Sequence, residues 1–151
     1  MRSEEQKSKD LIIHEKRYRA NEVLDVIKVW RRKATVICAI SAVVLFAVLI
    51  SFIIAAYDAQ NIILMAALIA LYFVLVILSY NIGGAVIAKS YSAFRGAKKL
   101  AKKWEYALLD FEAMEDKVAE RTAMPGDMEK CEAKLIDVAT TLISFAERYD
   151  L

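Results

Sequence analysis

Ala34–Tyr57 reads ATVICAISAVVLFAVLISFIIAAY, and Ile62–Ala88 reads IILMAALIALYFVLVILSYNIGGAVIA. Neither stretch contains a charged side chain, and only Asp58-Ala59-Gln60-Asn61 separates them. A helix rises 1.5 Å per residue, so about 20 apolar residues cross the hydrocarbon of a bilayer. Both stretches are long enough, and the link is too short for anything but a tight reversal. The sequence therefore predicts a transmembrane helical hairpin with spans at about 34–57 and 62–88.

The composition agrees with that division. The chain is 58% hydrophobic, against about 45–50% for a soluble domain, and the excess is concentrated in the two stretches. One soluble core is a poor description of such a chain. The apolar run is too long for a signal peptide and follows a mixed-charge leader, so a retained span is expected.

Orientation follows from the flanks. Lys28, Arg31, Arg32 and Lys33 precede the first span, and Lys89, Arg95, Lys98, Lys99, Lys102 and Lys103 follow the second, whereas the link has no Lys or Arg. Basic residues close to span ends stay in the cytoplasm. Both termini are expected on the cytoplasmic face of an inner (plasma) membrane.

Outside the spans the periodicity is helical. Residues 1–33 lack Pro and Gly and carry Ile13, Ala20, Val23, Ile27 and Trp30, a near-heptad stripe that continues to Ala34 and is interrupted by Lys16. They predict an amphipathic helix running into the membrane. Residues 89–151 predict a helical hairpin. Leu100, Trp104, Ala107, Phe111, Met114 and Val118 form one apolar seam. Cys131, Leu135, Val138, Leu142, Phe145 and Tyr149 form another at the same alternation of four and three. Met124-Pro125-Gly126-Asp127 breaks the chain between them, with Asp127 a candidate cap. A one-sided seam must pack on something; here the partners are the other seam, the N-terminal helix, or a second subunit. No β pattern, repeat or low-complexity segment competes. The expected fold is all-α: an integral membrane hairpin with extended cytoplasmic helices forming a bundle or antiparallel coiled-coil hairpin.

Chemistry-bearing motifs are absent. The sequence has no P-loop, GxGxxG, HExxH or GxSxG. His14 is the only histidine and reads as a surface residue; Cys38 and Cys131 form no CxxC or Cys/His pair and suggest neither disulfide nor zinc. No enzyme, cofactor, metal or nucleic-acid partner is expected.

Two features invite a function. Arg95, Lys98, Lys99, Lys102 and Lys103 share one helical face opposite Leu100, Trp104 and Phe111. Such a face fixes topology and meets anionic headgroups, or docks an acidic partner or phosphorylated ligand. Small residues recur in the spans: Ala34, Cys38 and Ala42 on one face, Ala47, Ser51 and Ala55 on another, and Ala66 and Ala70 in the second span. Small residues let helices approach closely in lipid, and two such faces on one span favour a homo-oligomer over an isolated hairpin. The polar span residues Thr35, Ser41, Ser51, Tyr72, Ser79, Tyr80 and Asn81 suit interhelical or backbone hydrogen bonds. Without an Asp, Glu, Lys, Arg or His in either span, an ion-coupled transporter is not expected, whereas a pore gated by an apolar constriction is compatible with the sequence.

The layout resembles a known family. A basic, Tyr/Arg-rich helix (His14-Glu15-Lys16-Arg17-Tyr18-Arg19-Ala20) leads into a two-span hairpin. The second span continues into a Tyr-, Trp- and Lys-rich helix (Lys89-Ser90-Tyr91-Ser92-Ala93-Phe94 through Trp104-Glu105-Tyr106). In this it is similar to the SLATT family, two-span effector domains associated with nucleotide-synthesising and nucleotide-sensing domains in bacterial conflict systems. The resemblance implies a membrane-perturbing or pore-forming effector triggered by a sensor protein or ligand, and supplies no catalytic residues. From the residues alone, the other readings are a non-conducting scaffold or accessory subunit that recruits a protein through its coiled coil, and a lipid-remodelling protein.

Overall fold

A computed structural model of the chain describes residues 4–58, 61–124 and 126–151. Four helices follow one another: α1 (Glu4–Asp58), α2 (Ile62–Ile87), α3 (Tyr91–Ala119) and α4 (Asp127–Tyr149). No strand occurs among the described residues. The protein is all-α, and α1 and α2 are long and apolar enough to cross a membrane, with a mean hydropathy of 3.0 over their most apolar windows. The chain divides into two compact units, one of residues up to Lys28 together with Arg95–Leu151, the other of Val29–Phe94.

The first unit is a three-helix bundle. Asn21 meets Trp104, and Arg17 meets Glu112, so α1 and α3 run antiparallel. Gly96 lies against Phe145, while Asp110 pairs with Lys134, so α3 and α4 are antiparallel too. Lys16 reaches Thr140 across the remaining pair. The core is Ala20, Leu24 and Ile27 from α1, Ala97, Ala101, Trp104, Ala107 and Phe111 from α3, and Leu135, Ala139, Leu142 and Ala146 from α4. Many of these are alanines, which leave the large ring of Trp104 (0% exposed) as the central filler. Its indole N–H donates to Asn21 Oδ1 at 3.1 Å, which a buried Trp requires.

The α3/α4 break comes earlier than Pro and Gly alone predict. Pro125 lies outside the described residues, yet α3 already ends at Ala119. Arg121 adopts a left-handed conformation (φ 59°). The Thr122 amide returns to Lys117 O at 2.9 Å and the Arg121 amide to Val118 O at 3.1 Å. This is a Schellman end, usually built on Gly. Asp127 does not cap α4. Gly126, at φ 83°, holds the cap position without a side-chain bond. Asp127 is instead the first helical residue, where its charge favours the helix dipole.

In the second unit the later part of α1 and all of α2 form an antiparallel pair. Ile37 lies against Gly83, Cys38 against Val76, and Ala42 against Tyr72. Ala59 and Gln60 of the link lie outside the described residues. Asn61 starts α2 by accepting from the Leu64 amide through Oδ1 at 3.0 Å, a conventional N-cap.

α2 does not run on into α3. It stops at Ile87, and Lys89 takes a left-handed φ of 55°. Phe94 then folds back so that its ring covers Gly84, where a Cβ would lie 2.2 Å from Cε1. Tyr80 meets the same ring edge-on at 5.7 Å. The bare glycine is what allows this elbow.

Candidate functional site

The hairpin seam is built from the first small-residue series. Ala34 is fully buried, and Cys38 and Ala42 are half-buried. Cys38 Sγ donates to Val76 O at 3.6 Å, and the Tyr72 hydroxyl donates to Ala42 O at 3.4 Å. Both bonds bring side chains onto backbone carbonyls across the pair, which the small residues Cys38 and Ala42 of α1 permit. Gly83 extends the seam, since an added Cβ would meet Ile37 Cγ2 at 3.0 Å.

The other small residues face away. Ala47, Ser51 and Ala55 are exposed, as are Ala66 and Ala70. The reason is register: α2 turns Met65, Leu68, Tyr72 and Val76 inward, and one residue is about 100° of helix rotation. Ala66 and Ala70 therefore sit off the seam. Two faces of small residues are thus left over once the hairpin is formed.

Four of the polar span residues are satisfied within their own helix. Thr35 donates to Arg31 O, Ser51 to Ala47 O, Ser79 to Val76 O and Asn81 to Ile77 O. None of these hydroxyls or amides is buried without a partner among the described residues. Within one chain they trace no polar path. The apolar surface is instead turned outward: no residue of either most apolar window is buried, and Val43, Ile62, Ile63 and Val86 are each more than two-thirds exposed. A core helix of a soluble protein would bury this surface.

In the three-helix bundle, the seam residues fall into two groups. Trp104, Phe111, Leu135 and Leu142 are buried. Leu100, Val138 and Phe145 are half-buried, and Val118 is exposed beside the early end of α3. A strict heptad seam misses the fully buried alanines one residue away, Ala101, Ala139 and Ala146. A helix contacting two neighbours buries a wider stripe than a helix contacting one. Leu24 was likewise outside the expected N-terminal stripe and is 5% exposed. Lys16, which interrupts that stripe in sequence, is accommodated by donating to Thr140 Oγ1 at 2.8 Å.

Arg95, Lys98, Lys99, Lys102 and Lys103 are all exposed on one face of α3. Lys102 Nζ lies 5.7 Å from the centre of the exposed Tyr106 ring. Two ion pairs join helices elsewhere in the bundle: Arg17 with Glu112 at 3.4 Å and Lys134 with Asp110. The hydrogen bond and charge of Asp110 raise the Lys134 pKa. A cleft of about 270 Å³ between α1 and α4 is lined by both signs of charge, including Lys16, Arg19 and Glu147. Among the described residues no cluster of His, Cys, Asp or Glu has the makings of a metal site.

Compared with known proteins, the chain matches no protein-family model, no curated protein and no solved structure.

Proposed function

We propose that the chain is an integral protein of the inner membrane, with two spans and both termini in the cytoplasm, and that it acts as an oligomeric membrane-perturbing or pore-forming effector. The observation that carries the membrane assignment is the pair of helices with a mean hydropathy of 3.0 and no residue of those windows buried. Their only economical cover is lipid or further copies of the hairpin. The orientation rests on the basic flanks, Lys28 to Lys33 and Lys89 to Lys103, around a link without Lys or Arg.

Oligomerisation is supported by what the hairpin leaves unused. Cys38 and Ala42 bond across to α2 and Ala34 is buried, whereas Ala47, Ser51, Ala55, Ala66 and Ala70 remain outward. Any lumen has to be enclosed by several copies, because two helices packed on each other enclose none. The three-helix bundle then receives the trigger from a sensor protein or ligand, the role implied by the SLATT resemblance.

Local bonding of Thr35, Ser51, Ser79 and Asn81 to backbone carbonyls favours a second reading, a non-conducting scaffold or accessory subunit whose bundle recruits a protein. Native mass spectrometry in a mild detergent separates the two. A defined tetramer or larger ring, followed by solute flux from reconstituted vesicles, supports the effector. A monomer or dimer removes the lumen and leaves the scaffold.

A further inference from the structure

We propose that the basic face of α3 is a docking surface for the phosphate headgroups of anionic phospholipids, engaged by Arg95, Lys98, Lys99, Lys102 and Lys103. The inference rests on the membrane reading above and names the lipid class that the protein selects.

The first argument is charge segregation along one helix. Tyr91–Trp104 contains these five cations and no acidic residue, whereas Glu105–Glu120 contains Glu105, Asp110, Glu112, Glu115, Asp116 and Glu120 against Lys117 alone. A helix face built only for solubility mixes the two signs at i, i+4 spacing. The second argument is the pairing pattern. Acidic residues of α3 are met by cations of the other helices, Glu112 by Arg17 and Asp110 by Lys134. Arg95, Lys99, Lys102 and Lys103 form no ion pair with a carboxylate among the described residues. Asp110 and Glu112 are thus taken by other helices, and Arg95, Lys99, Lys102 and Lys103 are left for an external anion.

Position in the chain chooses among anions. The stripe begins at Arg95, soon after the apolar helix ends at Ile87, and juxtamembrane polybasic segments sit where the leaflet's surface potential acts. Lys102 over the exposed Tyr106 ring adds the aromatic and basic pairing characteristic of the headgroup level. Lysines spaced along an exposed helix suit mobile, singly charged headgroups better than one enclosed phosphate.

The test uses the full chain, reconstituted in parallel into vesicles of phosphatidylcholine and of equimolar phosphatidylcholine and phosphatidylglycerol. Co-flotation is scored first, and lipids retained after detergent extraction are then counted by native mass spectrometry. Phosphatidylglycerol should be retained over phosphatidylcholine by about tenfold or more. Lys98→Gln/Lys99→Gln/Lys102→Gln/Lys103→Gln should bring the ratio near parity, while Lys→Arg at the same positions keeps it. An alkaline wash checks that the variants remain inserted; if the fourfold variant is not, Lys102→Gln/Lys103→Gln carries the comparison. Equal retention of the two lipids by the wild-type chain overturns the proposal but leaves the membrane reading standing. Failure to float with either vesicle overturns both. Loss of retained phosphatidylglycerol when phosphate replaces chloride at constant ionic strength would assign the face to a soluble phosphate. Tight binding of a poly-glutamate peptide without lipid enrichment would assign it to an acidic protein. Either result overturns the lipid assignment.

Discussion

Gly84→Ala tests the elbow at the end of α2. A Cβ at residue 84 would lie 2.2 Å from Phe94 Cε1, 2.4 Å from Cζ and 2.5 Å from Cδ1. Carbon atoms settle at about 3.5–4.0 Å, so the ring must retreat by more than ~1 Å. It has little room, because Phe94 is 3% exposed and Tyr80 stands against it at 5.7 Å. Overpacking of this kind costs about 1–3 kcal/mol. In the opposite direction, alanine is favoured over glycine in a helix interior by about 0.5–1 kcal/mol. The clash is the larger effect, and Gly84→Ala should destabilise the protein by roughly 0.5–2 kcal/mol. The decisive assay is a double-mutant cycle with Phe94→Ala, read by circular dichroism during unfolding in mixed micelles. With the ring removed, Gly84→Ala should become stabilising, giving a coupling of about 1–3 kcal/mol. If Gly84→Ala had the same effect in both backgrounds, the ring would not rest on Gly84 and the elbow would need another explanation.

Asn21→Ala leaves the buried Trp104 N–H without its acceptor and should cost about 1–3 kcal/mol; an unchanged unfolding midpoint would show that the bond is dispensable. Arg121→Gly removes a left-handed non-glycine residue from the Schellman end of α3 and should gain about 0.5–1 kcal/mol, seen as a raised melting temperature. Ala47→Leu and Ser51→Leu project from the outward face of α1, so they should shrink the oligomer in native mass spectrometry while leaving monomer helicity intact; wild-type oligomer size in both would remove that face from the assembly. The Lys134–Asp110 pair raises the lysine pKa. Its contribution is therefore complete below the usual lysine value of 10.5, and is lost as pH rises through the higher folded-state value. Alkaline melting curves of wild type and Lys134→Met should converge there.

Much of this architecture is legible in the sequence because its signals are one-dimensional. The apolar runs, the 4–3 spacing of Trp104, Phe111, Leu135 and Leu142, and the single basic face of α3 are each set by residues within a few turns of one another. The α2 N-cap at Asn61 was read only as part of the link, although an amide residue directly before an apolar helix is its signal. Other features were not legible. Arg121 and Lys89 sit in left-handed conformations that helix propensity gives no reason to place there. A heptad template underestimates the buried stripe of a helix with two neighbours, and so passes over Leu24, Ala101, Ala139 and Ala146.

The all-α class, the two apolar helices and the one-sided faces outside them follow from local patterning, because hydrophobic periodicity and the lack of interior proline act within each segment. Which faces meet was set by long-range packing. It assigned Ala34, Cys38 and Ala42 to the hairpin and left Ala47, Ser51 and Ala55 outward; it grouped the start of α1 with α3 and α4; and it ended α2 at an elbow closed by Phe94 on Gly84. Two small-residue faces on one helix are equivalent until a partner occupies one of them. The choice is made by contacts between residues far apart in the chain, such as Cys38 with Val76 and Tyr72 with Ala42.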